Sequence, residues 1–546
     1  MDARCNLYTP RLARHPPSTP PIDLESTRAR MQTTPARVRA AFARAVVPNS
    51  SRKSLGTRRV AFSAAGESSS SSSRGARGGR GGRGGRGRGP VDGRDAVPRQ
   101  RRQFDDAQLA RLASARERVE AGTFASASVA RGKANMFLDG NPIVYAGALE
   151  RVTGVNGGGS DVRTGDWVCV TDHAMAPICF GFYNETSSYA VRALAQAWES
   201  CAENAEDADG IVRARVREAY DARERLGLTS NARTTCYRLI NSEGDRLSGL
   251  NVDVYADVVV ASSTAAWVEQ RREVIVRALG EVFGGNGGAN VVWRRDEKMY
   301  EAEGLAWSGE SVSYYDAATG AASTENIPSE VIVLENDVKY AVDMAGGHKT
   351  GFYVDQRENR LAMREMSRGK KVLDVCCYTG GFAINAALGG ASSVTAVDSS
   401  DAALTVAARN AELNDVQDTV RFVRADAFDF MQRELDAGAA GTYDVVVLDP
   451  PKFAPSKPSL KKALPKYIGL NKRAMALLRP GGILVTCSCS GAVTQERLLP
   501  DVVAAAASAA GRRATLLASR GAGPDQPIDP AYSFGEYLTV LTVRVS

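Results

Sequence analysis

Leu373-Asp374-Val375-Cys376-Cys377-Tyr378-Thr379-Gly380-Gly381-Phe382 is an apolar run that breaks into a glycine turn and opens into the helical stretch Phe382–Leu388. A strand ending in small residues lets the backbone approach a ligand closely. Outward from this turn, apolar strands at Lys371–Val375, Ser393–Val397, Val420–Val423, Tyr443–Leu448 and Gly482–Val485 alternate with helical stretches such as Asp401–Leu413 and Leu470–Leu478. Repeated β–α alternation predicts an α/β fold, a Rossmann-like, doubly wound and mostly parallel sheet. Ligands of such sheets bind at the carboxyl ends of the strands.

The polar residues cluster at those ends. Thr379, Gly380 and Gly381 supply the turn, and Asp398 closes the next strand, placed to accept both hydroxyls of a ribose. Asp426 follows the third strand and is placed to accept from an adenine amino group. The glycine turn lacks a full GxGxxG and is weak evidence alone. Together with the two acids it predicts a dinucleotide or S-adenosylmethionine site. Asp449-Pro450-Pro451-Lys452-Phe453, after the fourth strand, favours the latter, because an acid clamped by prolines holds a planar polar target.

Thr486-Cys487-Ser488-Cys489-Ser490 follows the fifth strand and suggests the reaction. Cytosine C5 is too weak a nucleophile to take a methyl group unaided. A thiolate added at C6 makes an enamine that can, and loss of the C5 proton then expels the thiol. Cys487 and Cys489 are two apart, so a continuing strand puts both on one face and periodicity does not choose between them. Cys376 and Cys377 at the turn read as packing residues. Lys452 is placed to lower a thiol pKa or to contact phosphate. The upstream run His348–Arg357, polar with two aromatics, fits either a lid on the cofactor or a linker.

Composition sets the surroundings. Of the total charge of +7, residues 1–104 hold 22 Lys and Arg against 6 Asp and Glu, so residues 105–546 sum to −9. The folded body is acidic, and any nucleic acid must be met by local basic patches or by the tail. Nine scattered cysteines without a CxxC pair, and three histidines, predict neither a disulfide framework nor a metal site. No run of 18 apolar residues is present, so no membrane span is expected.

Residues 1–66 are rich in Arg, Ser, Thr, Ala and Pro and carry only Asp2, Asp23 and Glu25 as acids, which reads as an organellar transit peptide. Plentiful Ser, Thr and Pro favour chloroplast over mitochondrion. Six serines at Ser68–Ser73 and the RGG-type tract Arg74–Gly89 have nothing to bury and cannot fold alone; the arginines suit phosphates and bases. The organisation expected is a transit peptide and tail over 1–104, a helix with a small β-barrel-like module over 105–200, a mixed α+β unit over 201–333 and the doubly wound domain over 334–546.

These residues carry a family resemblance. HKTGFYVDQRENR (348–360), LDVCCYTGGFAINAALGGA (373–391), the Asp398 strand end, DPPKF (449–453), SCSG (488–491) and GEYL (535–538) resemble the bacterial large-subunit ribosomal RNA cytosine-C5 methyltransferases. RLINSEGDRLSGLNVDVY (238–255) looks like that family's central domain, and residues 135–192, with NPIVYAGALERV (141–152), look like its N-terminal PUA domain, an RNA-binding barrel. The resemblance implies S-adenosylmethionine as cofactor, large-subunit rRNA as partner and Cys489 as nucleophile. It implies cofactor contacts from Thr350, Asp355, Gln356, Tyr378, Asp398, Asp426 and Asp449. Cys487 departs from the family, which has an aromatic there. Other RNA cytosine-C5 methyltransferases carry their nucleophile at the same distance from Gly481-Gly482 as Cys489, and a second cysteine where Lys452 stands. Asp449 is then the candidate proton acceptor. The rivals are guanine N7 methylation, whose enzymes share DPP but lack the SCS cysteine, and an RNA-binding assembly factor without turnover. Oligomeric state is left open.

Overall fold

The structure is a computed structural model, and it describes residues 102–157, 161–283, 290–316, 321–323, 329–344 and 350–546. The transit-peptide and RGG expectations, and His348 and Lys349 of the upstream run, lie outside the described residues. Arg99–Ser546 forms one compact unit. Within it the described strands make three large sheets and a hairpin.

The helix Asp106–Glu120 starts where Asp105 and Gln108 close a capping box, satisfying two N-terminal amides. It leads into a six-stranded, largely antiparallel sheet in the order Ile143–Val144, Val191–Gln196, Pro177–Tyr183, Trp167–Thr171, Ser126–Val129, Leu149–Thr153. Val168 and Val170 pack with Ala127, Ile178 and Val191 on one face. Cys169, Phe180, Phe182 and Leu194 turn to the other and join the core of the next domain. This period of two is what a sheet covered on both sides requires.

The central sheet runs Ala322–Ser323, Val312–Asp316, Asn290–Arg294, Val258–Ser263, Leu250–Tyr255, Cys236–Asn241. Val252, Val254, Val259, Val291 and Trp293 face the helices Ala208–Arg225 and Arg272–Phe283. Tyr255, Val258, Val260 and Val292 face the opposite way, into a core shared with the C-terminal sheet. The hairpin Glu330–Glu335 and Val338–Asp343 joins that core through Val333, Tyr340 and Val342. Its turn residues Asn336 and Asp337 both have positive φ (51° and 69°), the backbone twist of a two-residue hairpin. A boundary at 333/334 therefore cuts through a single element.

The C-terminal sheet has seven strands, in the order Val420–Arg424, Ser393–Asp398, Lys371–Val375, Tyr443–Leu448, Leu478–Ser488, Thr539–Val545, Ala514–Arg520. The first five are parallel and the last two antiparallel, so the expected doubly wound sheet is present. Strand order reverses beside Lys371–Val375, which opens a crevice at the carboxyl ends there. Val372, Val394, Val445 and Val485 face the central domain; Leu373, Val375, Val446 and Leu484 face the helices Leu460–Leu477 and Leu499–Ala509. Burial on both faces explains why Tyr443–Leu448 reads as a continuous apolar run.

Three elements differ from the sequence expectation. The helix expected at Leu470 begins at Leu460, with Pro465 inside it. Proline lacks an N–H, so the bond from position 465 to the Lys461 carbonyl is missing, yet the helix continues through it to Leu477. The strand expected at Gly482–Val485 spans Leu478–Ser488. Downstream of Thr350, Val354–Gln356 is a tight 3-10 turn running into the helix Arg357–Met366, an ordered element rather than a linker.

Candidate active site

The carboxyl ends of the C-terminal strands open onto a cavity of about 1180 Å³. Thr350, Asp355, Gln356, Tyr378, Thr379, Gly381, Asp398, Asp426, Asp449, Lys452 and Cys489 all line it, so the sequence-predicted residues come together, Gly380 forming the turn beside them. The far wall was not anticipated. It is built by Arg238, Asn241, Glu243 and Asn251 of the central domain and by Pro527, Asp529 and Tyr532 of the C-terminal loop.

The turn after Lys371–Val375 is tightly wound. Cys376 (φ 65°), Tyr378 (φ 50°) and Gly380 (φ 82°) all adopt left-handed backbone, which side chains other than glycine resist. The Val397 carbonyl accepts from both Cys376 and Cys377 N–H, at 2.8 and 3.0 Å, and holds the turn in place. Asp398 Oδ2 accepts Tyr378 N–H at 2.9 Å and Oδ1 accepts Ser400 N–H at 2.9 Å. Its carboxylate is thus fixed at the strand end by backbone alone. Asp426 caps the helix Ala427–Asp436 through Oδ1, accepting Phe428 and Asp429 N–H at 2.8 and 3.1 Å, so Oδ2 remains for a ligand.

Asp449 sits between these acids and the thiol. Its Oδ2 accepts Gln356 Nε2–H at 3.0 Å, and Gln356 Oε1 in turn accepts Asn359 Nδ2–H at 2.8 Å. Gln356 therefore orients Asp449. Asp355 accepts Tyr537 O–H at 2.6 Å; the GEYL segment carried this tyrosine, but only the fold shows its partner. Thr350 is buried and its hydroxyl bonds to Asp253 and, at 3.0 Å, Tyr255 of the central domain. It ties the two domains together at the cavity wall. Tyr353 meets Tyr378 edge-on at 5.2 Å between centroids, an aromatic wall missed in the sequence.

The structure separates the cysteines. Cys487 lies inside the strand and is fully buried, while Cys489 lies one residue beyond its end and half-buried on the cavity. Burial pushes the Cys487 thiol well up, with the Asp449 charge adding to it, and burial likewise raises Cys376 and Cys377. Those three thiols are held neutral and make poor nucleophiles. Ser490 donates to the Ala454 carbonyl, fastening the Cys489 segment to the Asp-Pro-Pro segment. Lys452 is exposed at the mouth. Beneath the turn, burial and then the Asp449 charge push Asp374 up to about 8; its Oδ2 accepts Ala383 N–H at 2.9 Å.

Residues 312–531 match an S-adenosylmethionine-dependent methyltransferase family and residues 128–196 a PUA-like domain. A ribosomal RNA large subunit methyltransferase I from Aeromonas hydrophila is 37% identical over 427 residues, covering 77% of this chain and 99% of that protein. The protein of that name from Shewanella denitrificans is 38% identical, covering 74% and 95%. The chain belongs to the large-subunit ribosomal RNA methyltransferase I family. It is an S-adenosylmethionine-dependent methyltransferase with a PUA-like N-terminal domain. The fold agrees: a putative S-adenosylmethionine-dependent methyltransferase from Streptococcus mutans superposes with a TM-score of 0.61 at 19% identity, covering 77% of this chain and 99% of that one. A second putative methyltransferase, complexed with S-adenosylhomocysteine, gives 0.62 at 20% identity over the same shares. The residues present suit this family's cofactor: two backbone-fixed carboxylates, Asp398 and Asp426, stand at successive strand ends beside a glycine turn.

Proposed function

We propose that this member of the family methylates C5 of a cytosine in large-subunit ribosomal RNA, with Cys489 as nucleophile, inside an organelle, the chloroplast favoured over the mitochondrion. One observation carries the chemistry: Cys489 stands half-buried on the cavity just past its strand end and shares that cavity with Asp398 and Asp449, whereas Cys377 and Cys487 are sealed in the core and the Cys376 thiol, half-buried at the turn, is held neutral by burial and the carboxylates around it. The relatives' names support the rRNA substrate, and the PUA-like domain supports RNA as the partner. The acid-poor, Arg- and Ser-rich residues 1–66 support the organelle.

S-adenosylmethionine, when bound, supplies a methyl group made electrophilic by its sulfonium. Asp398 is placed for the ribose hydroxyls, Asp426 Oδ2 for the adenine edge, and Thr379–Gly381 for close backbone approach. A target base inside folded RNA must leave its stack to reach the thiol. The cavity exceeds the volume one small ligand usually needs, about 300–1000 Å³, which leaves room for cofactor and base together. The Cys489 thiolate adds to C6, forming the Sγ–C6 bond and raising electron density at C5. Asp449, oriented by Gln356, holds the base edge and takes the C5 proton once C5 is methylated. The Sγ–C6 electrons then return to the thiolate and the ring regains its double bond.

The test is to incubate the full chain and Cys489→Ala with unmodified large-subunit rRNA and methyl-labelled S-adenosylmethionine, then digest to nucleosides. Labelled 5-methylcytidine that disappears in the variant is expected. Label in 7-methylguanosine, or 5-methylcytidine that persists without Cys489, refutes the reaction. Import of a reporter fused to residues 1–104 into isolated chloroplasts, but not mitochondria, tests the address.

A further inference from the structure

Residues 452–473 contain seven basic residues and no acid, in a folded body whose net charge is −9. The segment borders the cavity at Lys452, Phe453, Lys466 and Leu470. Lys452 and Lys466 line its mouth, and Lys466 Nζ stands 5.7 Å from the Phe453 ring. Lys461, Lys462 and Lys466 are exposed on the first half of the helix Leu460–Leu477. Lys462 and Lys466 are four residues apart, so they share a face about 6 Å apart along the axis. Further along the same side, Leu470 lines the cavity and Arg473 stacks 3.6 Å over Phe428, another lining residue.

Among the described residues, the opposite edge offers no comparable charge. The two arginines that line the cavity are spent: Arg238 is committed to Asp253 at 2.6 Å and Arg360 to Glu335 at 2.5 Å. Among the described residues, Lys452, Lys461, Lys462 and Lys466 have no carboxylate within ion-pair distance, whereas Lys457 nearby pairs with Glu496. Holding several uncompensated lysines together costs repulsion, which a polyanion laid across them relieves.

We infer that this helix edge is the track for the phosphodiester backbone of the RNA strand that delivers its base to the cavity. The inference rests on the proposed RNA substrate and adds which surface grips it. Phosphates run along Lys461, Lys462 and Lys466, Lys452 meets the phosphate at the mouth, and the flanking base passes beside Phe453. Lys452 thereby acts on the strand rather than on the thiol.

The test compares three full-length proteins: wild type, Lys461→Gln/Lys462→Gln/Lys466→Gln, and a charge-matched control, Arg225→Gln/Arg277→Gln/Lys298→Gln, altered on the central domain. Binding of a labelled, unmodified large-subunit rRNA transcript is measured across a salt series, with S-adenosylmethionine affinity as the check on folding. The N-terminal tail is common to all three, so its contribution cancels in the comparison. The track predicts a Kd raised about tenfold or more and a log–log salt slope shallower by about 2 for the lysine triple, since each phosphate contact on a single strand contributes about 0.7. The loss in kcat/KM should fall on KM for the RNA. Unchanged Kd and slope, or an equal change in the control, overturns the track. Lysine-dependent binding by a wild type that makes no methylated nucleoside leaves the track standing and refutes the reaction instead.

Discussion

At the ends of the C-terminal strands, Asp398 and Asp426 spend their hydrogen bonds on backbone amides and keep capacity for a ligand. On the central sheet facing them, the charged groups are bound to one another. Arg238 grips Asp253 through two nitrogens at 2.6 and 3.0 Å and reaches Asn241 and Asn251 at 2.9 and 3.1 Å; Asp253 also takes the Thr350 hydroxyl. Arg357 holds Asp525 at 2.9 and 3.0 Å, and Asp525 accepts Arg238 N–H at 2.9 Å. One wall is chemically open and the other mechanically closed. Polar residues on a single cavity thus do two kinds of work, and their partners tell which.

Substitutions that exchange these roles test the contrast. The largest effect is expected at Cys489→Ala, where formation of 5-methylcytidine should fall at least about a thousandfold, the scale of losing a covalent nucleophile; single-turnover methyl transfer measures it. Asp253→Ala leaves Arg238 buried without its counter-charge and should cost about 3–5 kcal/mol in urea unfolding. The loss should appear alike in probes placed in the central and C-terminal sheets. Melting of the central sheet alone would break the picture of a wall that serves both.

Gln356→Ala frees Asp449 to drift and should lower kcat by up to about a hundredfold, with little change in S-adenosylmethionine affinity by calorimetry. A change confined to that affinity would move Gln356 to the cofactor's side. Asp374 gives a pH signature. Its folded pKa of about 8 lies above the ordinary carboxylate value, so the stability it contributes is present in acid and is lost as pH rises. Relative to Asp374→Asn, wild type should lose about 1.4 kcal/mol per pH unit between roughly pH 4 and 8, read from denaturant midpoints; a constant difference would contradict the raised pKa. The smallest effect is expected for Cys487→Ala: turnover kept, and about 1 kcal/mol of stability lost to the vacated space.

The C-terminal sheet was legible because its parallel strands have apolar centres, Tyr443–Leu448 most fully, and residues with a chemical task follow their ends, as Asp398 follows Val397. The start of the helix was not legible because Pro465 stands inside it, beyond the first turn, where a proline argues against helix and the run before it carries no other helical signal. Cys487 and Cys489 were inseparable by spacing, since the choice depends on the strand stopping at Ser488. The hairpin around Asn336-Asp337 carried a turn signal that a domain boundary obscured. The far wall had no local signature. Arg238 and Asp253 are ordinary residues until the chain brings position 253 against position 350.

The core shared between the central and C-terminal sheets, with Val258 and Val260 packed in one cluster with Val372 and Val445, has a consequence for taking the molecule apart. A gene fragment starting at Glu335 would keep every residue that touches cofactor or thiol chemistry, yet encode a basin missing one bank and exposing a greasy face. Because the N-terminal sheet shares a core with the central domain in turn, the smallest transplantable part is the body from Asp106 onward, and chimaeras joined near residue 335 should precipitate, whereas exchanges made ahead of Asp106 should not.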